Sequence, residues 1–166
     1  MINTTIAQCI AFFLSHIPLE MIGLGILLSI IHAMTSRADK TTDFTLGILL
    51  FCTVGVTGIW GFIMHAFFAS FTSQFIGWAP SPFEFEVALA NLGLGLTGLI
   101  ALWRQFDFRL AVVISATCFL WGAAAGHLYQ SITVHNFAAG NTGAILYTDI
   151  IIPLLLWLVI AFRQRA

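Results

Sequence analysis

The chain has 166 residues, 60% of them hydrophobic and only 8% charged, with a formal net charge of −1 and a mean hydropathy of +1.00. Soluble domains ordinarily carry about 25% charged residues, so this inventory argues against a water-facing globular domain, and the lack of clustered basic residues argues against a nucleic-acid partner. Long continuous apolar runs, where a β-barrel would show short alternating segments, point to an all-α integral membrane helical bundle. In lipid, only such helices satisfy their own backbone polar groups.

Five transmembrane helices are expected, at about 11–34, 43–70, 82–103, 108–131 and 142–162, forming a single transmembrane domain over 1–166. The stretch before the first span has no Lys or Arg from Met1 to Ser15 and does not resemble a cleaved signal peptide. The first span contains His16, Pro18 and Glu20. The second follows Thr42-Asp43, a capping pair. The third opens at Ser81-Pro82-Phe83-Glu84, a capping box with proline at the first helical position. The fourth follows Asp107, and the fifth follows Asn141-Thr142. Cys9, Cys52 and Cys118 form no CxxC pair and read as packing residues.

With five spans, all six basic residues (Arg37, Lys40, Arg104, Arg109, Arg163 and Arg165) fall on one side. The positive-inside rule then places the N-terminus outside and the C-terminus in the cytoplasm. Trp103 and Trp157 lie near the cytoplasmic ends and Trp78 on the outer loop, as interfacial aromatics do. Ile59-Trp60-Gly61 before His65 and Leu120-Trp121-Gly122 before His127 suggest a parallel repeat of helices two-three and four-five.

This topology brings five ionisable side chains, one from each helix, into a single layer. His65, Glu86, His127, Asp149 and Glu20 all fall roughly 6 to 10 Å below the outer surface at helical rise. Each costs on the order of 1 to 3 kcal/mol at such depth unless it finds a partner, so the five are expected to face one another or a wet cavity. Pro153 frees the carbonyl of Asp149, and Pro18 that of Leu14. Gly93, Gly95, Gly98, Gly122 and Gly126 would allow close helix approach. Glu84, Asp43, Asp107 and Asn141 read as helix caps, His135 as a solvated loop residue and His32 as a snorkelling one. His16 is the weakest candidate of the layer.

Residues 76–87, Ile-Gly-Trp-Ala-Pro-Ser-Pro-Phe-Glu-Phe-Glu-Val, followed by Ala90-Asn91-Leu92, resemble a family of small bacterial membrane proteins of unknown function. The pattern of that family is IGW, SPFQ, EVG and ANL after a histidine on the previous helix, then GH, an N-G pair and an acid before a proline. Gly126-His127, Asn141-Thr142-Gly143, and Asp149 before Pro153 match the later elements. Glu84 replaces the glutamine, and Ala88 replaces the glycine after Glu-Val. The resemblance covers about residues 58 to 155 and leaves out His16 and Glu20. It implies that His65, Glu86, Asn91, His127 and Asp149 act as one unit, and it supplies no reaction.

Three functions compete. The first is binding or transport of a small cation, proton or polar solute at His65, Glu86, Asn91, His127, Asp149 and Glu20. A divalent metal held by His65, Glu86, His127 and Asp149 is the cofactor that this layer suits best. The second is a non-catalytic structural or accessory subunit, which fits the small size and short loops. The third is a b-type haem ligated by His65 and His127. No nucleophile elbow, HExxH, phosphate loop or dinucleotide fingerprint appears, so the sequence leans away from an enzyme and nominates no catalytic residue. The expected partners are the lipid bilayer of a bacterial inner membrane and either further copies of the chain or other membrane subunits.

Overall fold

The computed structural model describes residues 4–35 and 38–163, with side chains over 15–35 and 43–163. Arg37 and Arg165 lie outside the described residues, as do the side chains of Cys9 and Lys40. Among the described residues the chain is helical, with no strand. Helix α1 is Thr4–Thr35 and α2 is Ala38–Leu49; α2 runs through a π-helical segment, Leu50–Val56, into α3, Thr57–Phe67. Then come α4 (Ala69–Ile76), α5 (Phe83–Ala101), α6 (Phe106–Thr133), α7 (Ala139–Thr142) and α8 (Ala144–Ala161).

Five stretches are long and apolar enough to cross a membrane: Ser15–Thr35, Asp43–Phe67, Phe83–Ala101, Phe106–Thr133 and Ala139–Ala161. Each lies close to its sequence-based expectation, and the differences have local causes. The second span stops at Phe67 because Phe68 leaves the helical region, with φ −124° and ψ 31°. Thr72 then donates its hydroxyl back to Met64 O and Phe68 O, each at 3.1 Å, so the chain restarts as α4 where a loop was expected. Gly77, at φ 75°, ends α4. Gly77 N–H donates to Gln74 O and Trp78 N–H to Ser73 O, the Schellman arrangement that favours glycine at that position. In the fifth span, Gly143 separates α7 from α8.

The π-helical segment was not legible in the sequence. Such segments insert a residue into the α-helical repeat and re-aim the side chains beyond it. This one lies in the central span: Asp43–Phe67 has 56% of its apolar window buried, against 17% to 33% for the other four. The spans form a ring in chain order, with the fifth returning to α1, while α2 and the π segment also touch α6 and α2 touches α8. Where α3 and the π segment meet α5, Gly55 and Gly58 lie against Gly98 and Gly95. A Cβ on Gly58 would stand 2.7 Å from the Gly95 backbone. Gly93 and Gly122, expected at close approaches, face open space instead.

The core between the spans is apolar, built on Leu46, Leu49, Leu50, Val113, Ile152 and Leu156. Outward-facing positions are apolar too, among them Leu27, Ile30, Leu96, Ile114, Leu154 and Leu158. Cys52 packs inside, whereas Cys118 faces outward. Trp157 donates to Thr117 Oγ1 at 3.0 Å and so ties α8 to α6.

One end of the bundle is closed by arginines. Buried Arg109 donates to Asp43 O on α2 at 2.6 Å, and to Ala101 O at 2.9 Å and Leu102 O at 3.0 Å where α5 ends. Asp43, expected as a cap, instead accepts from Arg163 at 2.6 Å. The Arg163 guanidinium lies 3.9 Å from the centre of the Phe106 ring.

Substituting Gly58→Ala drives a methyl into the α5 backbone and is expected to cost about 1 to 3 kcal/mol. Thermal unfolding of the detergent-purified protein measures this against Gly93→Ala, which points into open space and should stay within about 0.5 kcal/mol of wild type.

Candidate functional site

At the end opposite the arginines, two His–carboxylate pairs form. Each joins a histidine near the end of one span to an acid of the next. His65 on α3 faces Glu84 in the first turn of α5, with Nδ1 3.5 Å from Oε1. His127 on α6 faces Asp149 on α8, with Nε2 3.8 Å from Oδ2. Glu84, read from the sequence as a cap, is therefore the partner of His65, and Ser81 Oγ accepts the Phe83 N–H at the start of α5.

Around His127 a polar network is assembled from three segments. The Schellman turn at Gly77 sends Trp78 across to α6, where its ring lies 5.3 Å from the His127 ring, centre to centre. Gly126 leaves room for the indole, since a Cβ there would already be in van der Waals contact with Trp78 at 3.4 Å. The Trp78 indole N–H donates to Asn141 Oδ1 at 2.9 Å, and His127 Nδ1 lies 2.9 Å from the same oxygen. Asn141 Nδ2 is within 3.1 Å of His127 O, 2.9 Å of Ser131 Oγ and 2.9 Å of Asn136 O. Asn136 in turn donates to Ile76 O and Gly77 O, so the connection after α6 is bound to the connection after α4.

Asn141 is completely buried, and His127 and Asp149 are buried beside it. Pro153 leaves the Asp149 carbonyl without its helical N–H, on the same buried face of α8. Burial of such groups is tolerated only when they are paired or hydrogen-bonded. With Nδ1 engaged by Asn141, the His127–Asp149 gap lies between a ring nitrogen and a carboxylate oxygen. Those are two acceptors until one of them carries a proton. A proton added there can reside on either group.

The remaining candidates lie elsewhere. Glu86 is exposed, and Glu20 is half-buried on α1. Among the described residues, no hydrogen bond or ion pair joins Glu20 or Glu86 to His65 or His127. His16 Nδ1 meets Ser15 Oγ at 3.0 Å. Asn91 donates to Val87 O at 2.9 Å within its own helix and packs over Gly61, filling the α3–α5 crossing. Among the described residues, no three His, Cys, Asp or Glu side chains gather as a metal cage.

A family model, that of a family of unknown function designated DUF6790, matches residues 15–166. The chain belongs to DUF6790. The DUF6790 match begins at Ser15, so His16 and Glu20 fall inside the family region, beyond the stretch that the sequence resemblance covered. No curated protein and no solved structure matches the chain.

The residues that sequence reading missed in this DUF6790 chain are Asn141, Asn136, Ser131, Trp78 and Glu84. Asn141 and Glu84 carried the signatures of helix caps, and Trp78 that of an interfacial ring. Only the conjunction of a histidine, an asparagine and a tryptophan within the matched motifs could have marked them. Trp78→Phe keeps the ring, removes one donated bond and is expected to cost about 0.5 to 1.5 kcal/mol. Asn141→Leu strands several buried donors and acceptors at once and is expected to cost about 3 kcal/mol or more. Thermal unfolding followed by circular dichroism compares the two, and equal losses would deny Asn141 its place as the hub.

Proposed function

We propose that the chain is a multi-pass protein of a bacterial inner membrane that binds and passes a proton or small cation through its His/carboxylate pairs. On this reading the N-terminus is outside and the C-terminus cytoplasmic, because the described arginines Arg104, Arg109 and Arg163 flank one end of the five spans. His127 lies six residues before the end of α6, about 9 Å inside the outer surface at helical rise. Ionisable groups at such depth are expensive, and they characteristically mark ion pathways and proton relays.

The observation that carries the reading is the buried His127–Asp149 pair, 3.8 Å apart with its other ring nitrogen committed to Asn141. Two such pairs in successive helix hairpins favour a small, mobile charge over a bulky solute. The four candidate metal ligands divide between two pairs and exposed Glu86, which supports a proton better than a shared divalent ion. Both nitrogens of His127 face protein groups, so neither is presented to a haem iron.

A second reading is an accessory subunit whose polar network only fixes helix packing. It is favoured by Asn141, whose amide is fully engaged in joining the loops.

Proteoliposomes loaded with a pH-sensitive dye separate the two. Wild-type protein is expected to collapse an imposed pH gradient faster than empty vesicles, and Asp149→Asn to return the rate to that of empty vesicles while keeping its helical content. Equal rates for wild type and a folded Asp149→Asn would leave the network a packing role alone.

A further inference from the structure

We infer that Asn141 is a positioning residue that, with Trp78, locks His127 in the tautomer carrying its hydrogen on Nδ1 and turns the bare Nε2 toward Asp149. The inference rests on the His127–Asp149 site proposed above, but it is read on the imidazole itself and not on flux.

An indole N–H can only donate, so the Asn141 atom 2.9 Å from Trp78 Nε1 is the amide oxygen. On the other side of the amide, the carbonyls of His127 and Asn136 can only accept, so the atom facing them, at 3.1 Å and 2.9 Å, is the nitrogen. The amide orientation is thus fixed from both ends. His127 Nδ1, 2.9 Å from that oxygen, must carry a hydrogen for the contact to be attractive. A neutral imidazole has only one N–H, which leaves Nε2 bare.

Left to itself, the nearby carboxylate would favour the opposite tautomer, with the hydrogen on Nε2. Distance decides between the two partners. Asn141 is within hydrogen-bond range, whereas Asp149 Oδ2 stands 3.8 Å from Nε2, beyond it. The consequence is a lone pair aimed at an acid. A proton added to this site goes onto Nε2 or onto Asp149, and Nδ1 does not compete for it. His65 carries no equivalent lock among the described residues, because its Nδ1 is the atom that faces Glu84.

The test is the nitrogen-15 spectrum of histidine-labelled protein in lipid bilayers, with the His127 signals identified by their loss in His127→Gln. In wild type, Nδ1 is expected at the protonated position. A bare Nδ1 in wild type would overturn the inference, and this outcome does not depend on Asn141→Leu folding. In Asn141→Leu, which keeps the branching of the side chain and cannot accept, the hydrogen is expected to move to Nε2. A spectrum that still shows only the Nδ1–H form would deny Asn141 the positioning role. Absence of proton flux alongside a protonated Nδ1 would sink the transport reading and leave the positioning role standing.

Discussion

The Asn141 amide is wholly buried and surrounded by groups whose hydrogen-bonding character is fixed, so it cannot rotate without setting donor against donor. Its oxygen must face the Trp78 indole, which in turn requires the sharp turn at Gly77 that brings Trp78 across to α6. Its nitrogen must face the carbonyls of His127, inside α6, and of Asn136, beyond it, which holds Ser131 and Asn136 in place. The His127 tautomer and the aim of its other nitrogen toward Asp149 follow from that one orientation. For groups this deeply buried, a half-satisfied network costs more than none.

The rest of the bundle keeps this end in register by means that do not depend on hydrogen-bond direction. The glycine crossing of the π segment and α3 on α5 brings the backbones close enough to fix their offset, and with it the approach of His65 to Glu84. At the other end Arg109 binds three carbonyls from two segments, converting the ends of the second and third spans into one rigid unit. Arg163–Asp43 is more exposed, at 30% and 45%, and contributes little by itself. Packing and polar satisfaction are thus segregated: dry leucine core toward the arginines, polar network away from them.

Much of this was legible in the sequence because lipid-length hydrophobic runs leave few alternatives. The five spans and the gathering of the described arginines at one end follow from spacing and depth, which also nominated His65, His127 and Asp149. What the spacing could not show was direction around each helix. Glu84 and Glu86 are two residues apart, and at roughly 100° per residue they point to different sides. Only the α3–α5 contact selects Glu84 for His65. The π segment is invisible because Leu50 to Val56 contains no proline, Thr53 and Gly55 end no helix there, and its extra residue per turn answers to packing. Asn141 misled for a different reason. Asparagine ahead of a helix is a frequent cap, and the same side chain serves as a buried hub only because Trp78, remote in sequence, arrives over it.

The two pairs are alike in composition and unlike in setting. His65 and Glu84 have side chains 21% and 14% exposed, whereas those of His127 and Asp149 are 7% and 11% exposed. On the transport reading, the first pair therefore meets water sooner, and the second holds its charge under stricter control, with one ring nitrogen already committed. Neither pair is drawn into a direct hydrogen bond, at 3.5 Å and 3.8 Å. A short charge-assisted bond would be about twice as strong as a neutral one, and a proton held that firmly would be slow to leave. On the transport reading, separations at or beyond the edge of bonding distance suit groups that accept a charge and then release it.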